Sequence, residues 1–168
     1  DGQSIIIIGG GPAGTSCAIY LKKLAEKLNR NLSVILIEPK SFKTHYNQCV
    51  GVIPPQIIPT LEEIGVKFPE SIIKGKVIGY HLNANNEEIY LPSNKHNDIS
   101  FAVRRNEFDA FMMDQVLKAK VQIVPGEVVT FDYSKKDKKD KFIVYSNCGT
   151  YKSDFIIGAF GVGNGIAR

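Results

Sequence analysis

Ile5-Ile6-Ile7-Ile8-Gly9-Gly10-Gly11-Pro12-Ala13-Gly14 is the stretch that decides the fold of this 168-residue chain. Ser4 to Ile8 is an unbroken, largely β-branched run, the pattern of a strand buried on both faces of a parallel sheet. It runs directly into glycines spaced for a phosphate-binding turn. Gly9 permits the tight turn, Gly11 removes the side chain that would block a pyrophosphate, and Gly14 lets the following helix pack on the strand. A pyrophosphate carries two negative charges, and the free N–H groups and positive dipole end of that helix point at it.

The helix is expected from about Pro12 to Leu28. Cys17, Leu21, Leu24 and Leu28 recur at helical spacing and predict one buried apolar stripe, with Lys22, Lys23, Glu26 and Lys27 on the other faces. Ser33 to Ile37 reads as a second buried strand, so strand, helix and strand fit within about 35 residues as one right-handed βαβ crossover. Glu38 closes the second strand, where an acid accepts hydrogen bonds from ribose hydroxyls and favours a ribose without phosphate. A glycine turn can also serve packing alone, and Glu38 alone could be a solvated carboxylate. The agreement of strand, helix and acid favours a dinucleotide, without separating NAD from FAD.

Composition sets the outer limits. The chain is 43% hydrophobic with a net charge of +4, which suits one core and excludes disorder, collagen and coiled coil. Lys135, Lys136, Lys138, Lys139 and Lys141 alternate with Asp137 and Asp140 and read as a solvated hairpin tip. No basic face with interleaved aromatics predicts a nucleic-acid partner. Cys17, Cys49 and Cys148 are odd in number and widely spaced, which argues against a disulfide scaffold or zinc and fits a reducing cytoplasm. No apolar run approaches the ~20 residues of a membrane span, and no signal peptide is visible.

Further along, Pro54, Pro55 and Pro59 punctuate a loop, Thr60-Leu61-Glu62-Glu63 predicts a capping box, and Gly65 a helix stop. Lys76 to Leu82 and Glu87 to Leu91 predict a hairpin around Asn83 to Asn86. A second helix is expected from Glu107 to Ala119, capped by Asn106, with Phe108, Phe111, Met112, Val116 and Ala119 buried. Val121 to Val124 reads as a strand, Glu127 to Tyr133 and Lys141 to Ser146 as a hairpin, and Asp154 to Ile157 as a last strand. That strand enters the glycine-rich Gly158 to Gly165, a few residues beyond which the sequence ends.

Gly9 to Gly14 followed by Cys17-Ala18 and Leu21 resembles the FAD-binding motif of the flavoprotein group containing the aromatic hydroxylases and the geranylgeranyl reductases. Val103-Arg104-Arg105-Asn106-Glu107-Phe108-Asp109 is similar to the group's Arg-x-x-Phe-Asp stretch, and Ile156-Ile157-Gly158-Ala159-Phe160-Gly161 with Arg168 to its Ile-Gly-Ala-Asp-Gly…Arg stretch. Tyr46 to Pro55, which includes Cys49-Val50-Gly51, resembles the Cys-Gly-Gly…Pro segment of geranylgeranyl reductases. Two departures stand out: Phe160 replaces the usual acid, and Val50 the first glycine.

The resemblance implies an α/β, Rossmann-type FAD/NAD(P)-binding fold with a parallel sheet, antiparallel hairpin excursions and the start of a substrate domain. Residues 1–168 would form an incomplete FAD-binding domain, with core segments near 1–65 and 100–168 and an excursion at 66–99. FAD is the implied cofactor, held by Gly9, Gly11, Pro12, Ala13, Gly14, Glu38, Arg105, Val128 and Gly161, with NAD(P)H or another reductant as electron donor. Val128 would meet the adenine through its backbone, and Arg104 competes with Arg105. The implied activity is flavin-dependent reduction of C=C bonds in isoprenoid or related lipids, with small-molecule substrates and peripheral membrane contact. A flavin monooxygenase, or a fragment that binds without catalysis, is the alternative. Cys49 is either a thiol facing flavin or substrate or a small buried side chain. His45 and Tyr46 read as exposed polar residues, and Cys148, His81 and His96 suggest no role.

Overall fold

The computed structural model describes residues 1–41, 49–93, 99–134 and 141–161. In chain order, the first elements are β1 (Gln3–Ile8), α1 (Pro12–Lys27), β2 (Leu32–Ile37), β3 (Val52–Ile53), α2 (Ile57–Glu63), β4 (Ile73–Val77), β5 (Gly79–Ala84) and β6 (Glu87–Pro92). β7 (Ser100–Val103), α3 (Arg105–Lys118), β8 (Gln122–Val124), β9 (Val128–Ser134), β10 (Lys141–Ser146), β11 (Gly149–Ser153) and β12 (Phe155–Gly158) follow. Backbone contacts divide the chain into two units, Asp1–Ser41 with Asp109–Arg168, and Phe42–Phe108.

The first unit holds a parallel sheet in the order β12-β1-β2-β8. The polyisoleucine run is its centre, as its unbroken apolar pattern requires: Ile6 and Ile7 are fully buried and Ile8 nearly so. Ile6 and Ile8 join Ile37, Val124, Val128 and Val144 in one core cluster. Strand alternation turns Ile7 and its register partner Leu36 to the opposite face. An antiparallel meander, β9-β10-β11, completes the unit. Because β2 lies on one side of β1 and β12 on the other, the carboxyl ends of β1 and β12 diverge at a topological switch point.

The opposite end of β1 is pinned to β12. Asp154 accepts hydrogen bonds from the Ser4 N–H and hydroxyl, both at 2.8 Å, and pairs with Lys141 Nζ at 2.5 Å. The Lys141 ammonium first, then the Ser4 donors, hold its carboxyl well below the usual carboxylate range.

α1 forms where expected but buries a different face. Gly14, Thr15, Ala18, Ile19 and Ala25 are buried, while Leu24 and Leu28 are 38% and 58% exposed. The glycine turn overrides the leucine stripe. A Cβ on Gly14 would collide with the Gly9 carbonyl oxygen, so residue 14 must face the strand. Helical geometry then brings residues 18 and 25 inward, and their small side chains keep the helix close to the sheet. Cys17, expected in the core, is only half-buried, and that burial pushes its thiol up.

The second unit contains the sheet β3-β7-β4 and the hairpin β5–β6, with Ile53, Leu61, Ile64, Val66, Phe68, Ile72, Val103 and Phe108 buried. The capping box is not formed. Thr60 lies inside α2, its hydroxyl donating to the Gln56 carbonyl at 2.8 Å, while Pro59 sits in the first turn, where its missing N–H costs nothing. Gly65, at φ +71°, does stop the helix. The Val66 N–H bonds to Leu61 O and that of Gly65 to Glu62 O, a Schellman ending. The hairpin turn is tighter than the four residues expected: Ala84 pairs with Glu87 across Asn85 and Asn86, both at positive φ. Asn106 is not the cap of α3, because the helix bonds already begin at the Arg104 carbonyl.

Candidate dinucleotide-binding site

At the switch point the Gly9 N–H donates to Ile37 O at 2.9 Å, the Ala159 N–H to Ile8 O at 2.8 Å, and the Glu38 N–H to Val124 O at 3.0 Å. These bonds hold the carboxyl ends of four strands together. Gly9, at φ +107°, passes so close to the Ala159 carbonyl that no side chain fits. Thr15 is fully buried, and its hydroxyl donates to Gly11 O at 3.0 Å, fastening the first turn of α1.

Gly11 is different. Its φ of −68° and ψ of −176° suit any residue, and a Cβ there would meet nothing within 4 Å. Nothing inside the described protein therefore requires glycine at this position. The space it leaves lies at the N-terminus of α1, which has Pro12 in its first turn, no side-chain cap and no acid in its first turn. A helix start with no side-chain cap and no acid in its first turn, beside a glycine with room around it, fits an anion. The residues present thus fit a dinucleotide pyrophosphate, with the Ala13 and Gly14 N–H groups as the available donors.

Glu38 is 8% exposed. Its carboxylate accepts from the Gly10 N–H at 2.6 Å and the Lys40 N–H at 2.8 Å, one on each oxygen. Each oxygen keeps a second lone pair for a ribose hydroxyl. Sequence reasoning missed Gly10 here. A Cβ on Gly10 would lie 2.9 Å from Glu38 Cβ and 2.7 Å from Met113 Cε, so this glycine both admits the acid and donates to it. The signal was the middle member of three consecutive glycines.

The remaining first-unit residues fall around the same strand ends. Val128 is buried in the core cluster, so only its backbone is available to a ligand. Gly161 has φ +67°, and a Cβ there would meet none of the described residues within 4 Å. Phe160, in place of the acid, packs against the core cluster and lies over Gly158, where a Cβ would come within 2.8 Å of its ring.

Cys49 and Arg105 belong to the second unit. Cys49 is exposed, which removes the buried-core reading. Two residues on, Gly51 takes φ +77° against the Val103 carbonyl and accepts the Val103 N–H at 2.8 Å. A Cβ on Gly51 would lie 3.7 Å from Arg105 Cγ, so the loop after Cys49 runs beside Arg105. Arg104 is exposed and turns to Glu107 at 3.5 Å. Cys148 is exposed on the β10–β11 turn, where Ser146 and Tyr151 pull its thiol down. His81 pairs with Glu88 at 2.6 Å on the hairpin. His45, Tyr46, His96, Arg168 and the lysine run 135–139 lie outside the described residues.

A family model described as pyridine nucleotide-disulphide oxidoreductase matches residues 3–91. A mitochondrial electron transfer flavoprotein-ubiquinone oxidoreductase of Dictyostelium discoideum is 25% identical over 132 residues, covering 75% of this chain and 21% of that protein. Among solved structures, a geranylgeranyl bacteriochlorophyll reductase-like protein of Thermoplasma acidophilum superposes with a TM-score of 0.71 at 23% identity, over 95% of this chain and 39% of its own. A myxobacterial chondrochloren halogenase, an FAD-dependent enzyme, superposes with a TM-score of 0.72 at 17% identity, over 98% and 38%. The chain therefore spans about 21% of the curated relative's length. The structural likeness establishes the Rossmann-type fold.

Proposed function

The chain belongs to the pyridine nucleotide-disulphide oxidoreductase family, and from that premise we propose that it is the FAD-binding part of a flavin-dependent oxidoreductase. The observation that carries this is Gly11: a glycine without an internal reason, at an uncapped helix start, with Glu38 at the end of the next strand. In this reading the α1 N-terminus and Gly9 to Gly14 hold the pyrophosphate, and Glu38 holds the ribose. Val128 contributes its backbone to the adenine, and Gly161 and Arg105 complete the contacts. When bound, FAD supplies hydride and electron transfer, with NAD(P)H or another reductant as donor. The protein's part is to orient substrate and exclude water, and the exposed Cys49 thiol is the side chain we assign to the substrate side.

The substrate class we favour is C=C bonds of isoprenoid or related lipids, reduced by a cytoplasmic protein that makes peripheral contact with a membrane. The Cys49 to Pro55 segment and the likeness to a geranylgeranyl reductase-like structure support it. In this reading residues 66–99 belong to the substrate domain and the remainder to the FAD-binding domain. No helix among the described residues is long and apolar enough to cross a membrane. The likeness to a p-nitrophenol 4-monooxygenase of Pseudomonas putida supports a second reading, a flavin monooxygenase such as a hydroxylase or epoxidase.

Denaturing the purified protein and identifying the released chromophore tests the cofactor, with FAD expected. Colourless protein that binds NAD after flavin reconstitution fails would overturn the proposal. Product analysis under isotopically labelled dioxygen separates the two chemistries. Label in the product supports oxygenation, and hydrogen added across a double bond supports reduction.

A further inference from the structure

We infer that the end of the first unit formed by the C-termini of α1 and α3 is a docking surface for an acidic amphipathic helix of a partner protein. The starting point is the leucine stripe that the fold does not bury. Leu24 and Leu28, held outward by the Gly14 contact, join Leu21 and Leu32 around a shallow recess of about 240 Å³. Adjoining it is a recess of about 340 Å³ lined by Lys22, Lys23, Arg30, Lys118 and Lys120, with Glu26 as its one carboxylate. Both recesses include Ala25, Arg30, Asn31 and Leu32, so they form one surface, an apolar ridge flanked by five cations. Asp1 stands on the far rim, accepting the Asn31 N–H at 2.7 Å.

Cations at helix C-termini ordinarily serve the helix dipole. Here both helix ends are already closed by backbone bonds. Asn29 and Arg30 donate to Glu26 and Ala25, and Lys120 and Val121 donate to Leu117 and Val116. Lys120 holds φ +57°, the position where glycine is normally used, so a charged residue is kept there at a conformational cost.

The combination selects the partner. Lys22 already donates to the Leu32 carbonyl at 3.1 Å, so a nucleic acid or inorganic polyanion would use the other cations and leave the leucines wet, whereas a neutral apolar helix would leave Lys23, Arg30, Lys118 and Lys120 without a counter-charge. A helix with an apolar stripe and acidic flanks satisfies both, because Leu21, Leu24 and Leu28 lie at i, i+3 and i+7 on one face of α1. The surface occupies the C-terminal half of α1, beginning at Leu21, about 14 Å along the helix from Pro12 and the phosphate loop. Partner and cofactor can therefore bind together.

Fluorescence anisotropy of the full chain with a labelled helical peptide, leucines on one face and glutamates on the rest, tests the inference. Controls are the same composition scrambled out of helical period, and heparin. Saturable binding is expected, at least about tenfold tighter than the scrambled peptide. Leu24→Ser with Leu28→Ser, and separately Lys118→Glu with Lys120→Glu, should each weaken it about tenfold while the melting curve confirms folding. Three results overturn the inference: no saturable binding, scrambled peptide or heparin binding as tightly, or peptide affinity unchanged in both double variants.

Discussion

Replacing Gly11 by valine separates the two things a glycine in this loop can be for. The residue sits at φ −68° and ψ −176°, which valine adopts without strain, and a Cβ would meet none of the described residues within 4 Å. Stability should therefore change by no more than about 0.5 kcal/mol, as at a surface site. Ligand affinity should respond very differently. The branched side chain fills the cradle in front of the α1 N-terminus, where the phosphates would take charge-assisted hydrogen bonds. Losing two of these, at about 1.5–3 kcal/mol each, removes about 3–6 kcal/mol, or roughly 10²- to 10⁴-fold in FAD affinity. Denaturant melts of the flavin-free protein give the first quantity, and titration with FAD followed by flavin fluorescence gives the second. The neighbouring variant Gly14→Ala is the internal contrast. Its Cβ would strike the Gly9 carbonyl, forcing α1 off β1 at a cost of about 1–3 kcal/mol. A Gly11→Val protein that binds FAD within threefold of the parent refutes the placement of the phosphates. One that fails to fold refutes the claim that this glycine has no internal duty.

Cys49→Ala should alter turnover or substrate selection while leaving FAD affinity and melting temperature nearly unchanged, since the residue is exposed; a lower melting temperature with unchanged kinetics would count against its assignment. Asp154 titrates from a depressed native value, so its contribution is present above about pH 4, the unfolded value. It is lost as pH falls toward the native value, so Asp154→Asn should flatten the acid limb of a stability-against-pH curve and leave the slope above pH 6 unchanged. Lys120→Gly should raise stability by up to about 1 kcal/mol in a denaturant melt, because glycine occupies φ +57° without the Cβ penalty.

What could be read from the sequence was whatever a single local pattern determines. The polyisoleucine run, the glycine spacing and the acid after β2 each have one sensible meaning, and together they fix the parallel sheet and the site at its end. Two periodicities competed in α1, and leucine hydrophobicity pointed to the wrong one. The deciding fact was a contact between Gly14 and the Gly9 carbonyl, which no hydropathy pattern expresses. Thr60-Leu61-Glu62-Glu63 has capping-box spelling, but Ile57 and Ile58 extended the helix upstream and turned the would-be cap into an interior residue. β11 was missed because Gly149-Thr150-Tyr151-Lys152-Ser153 is strand-like only through its pairing with β10. Gly10 was passed over for a similar reason: its partner, Glu38, is 28 residues away.

The pairing of β1 with β12 also sets a timetable. Ser4 and Asp154 are 150 residues apart, and at 5–20 residues per second a ribosome needs about 7–30 s to travel between them. Through that interval β1 can pair with β2 and, later, β8 can join, yet the other edge of the isoleucine strand stays open. An unpaired, uncharged, β-branched edge is the kind that recruits foreign strands. The newborn chain should therefore be most vulnerable to aggregation before residue 158 is made. Its cofactor should be acquired afterwards, because the Ala159 carbonyl that backs the Gly9 turn is among the last parts of the described site to be synthesised.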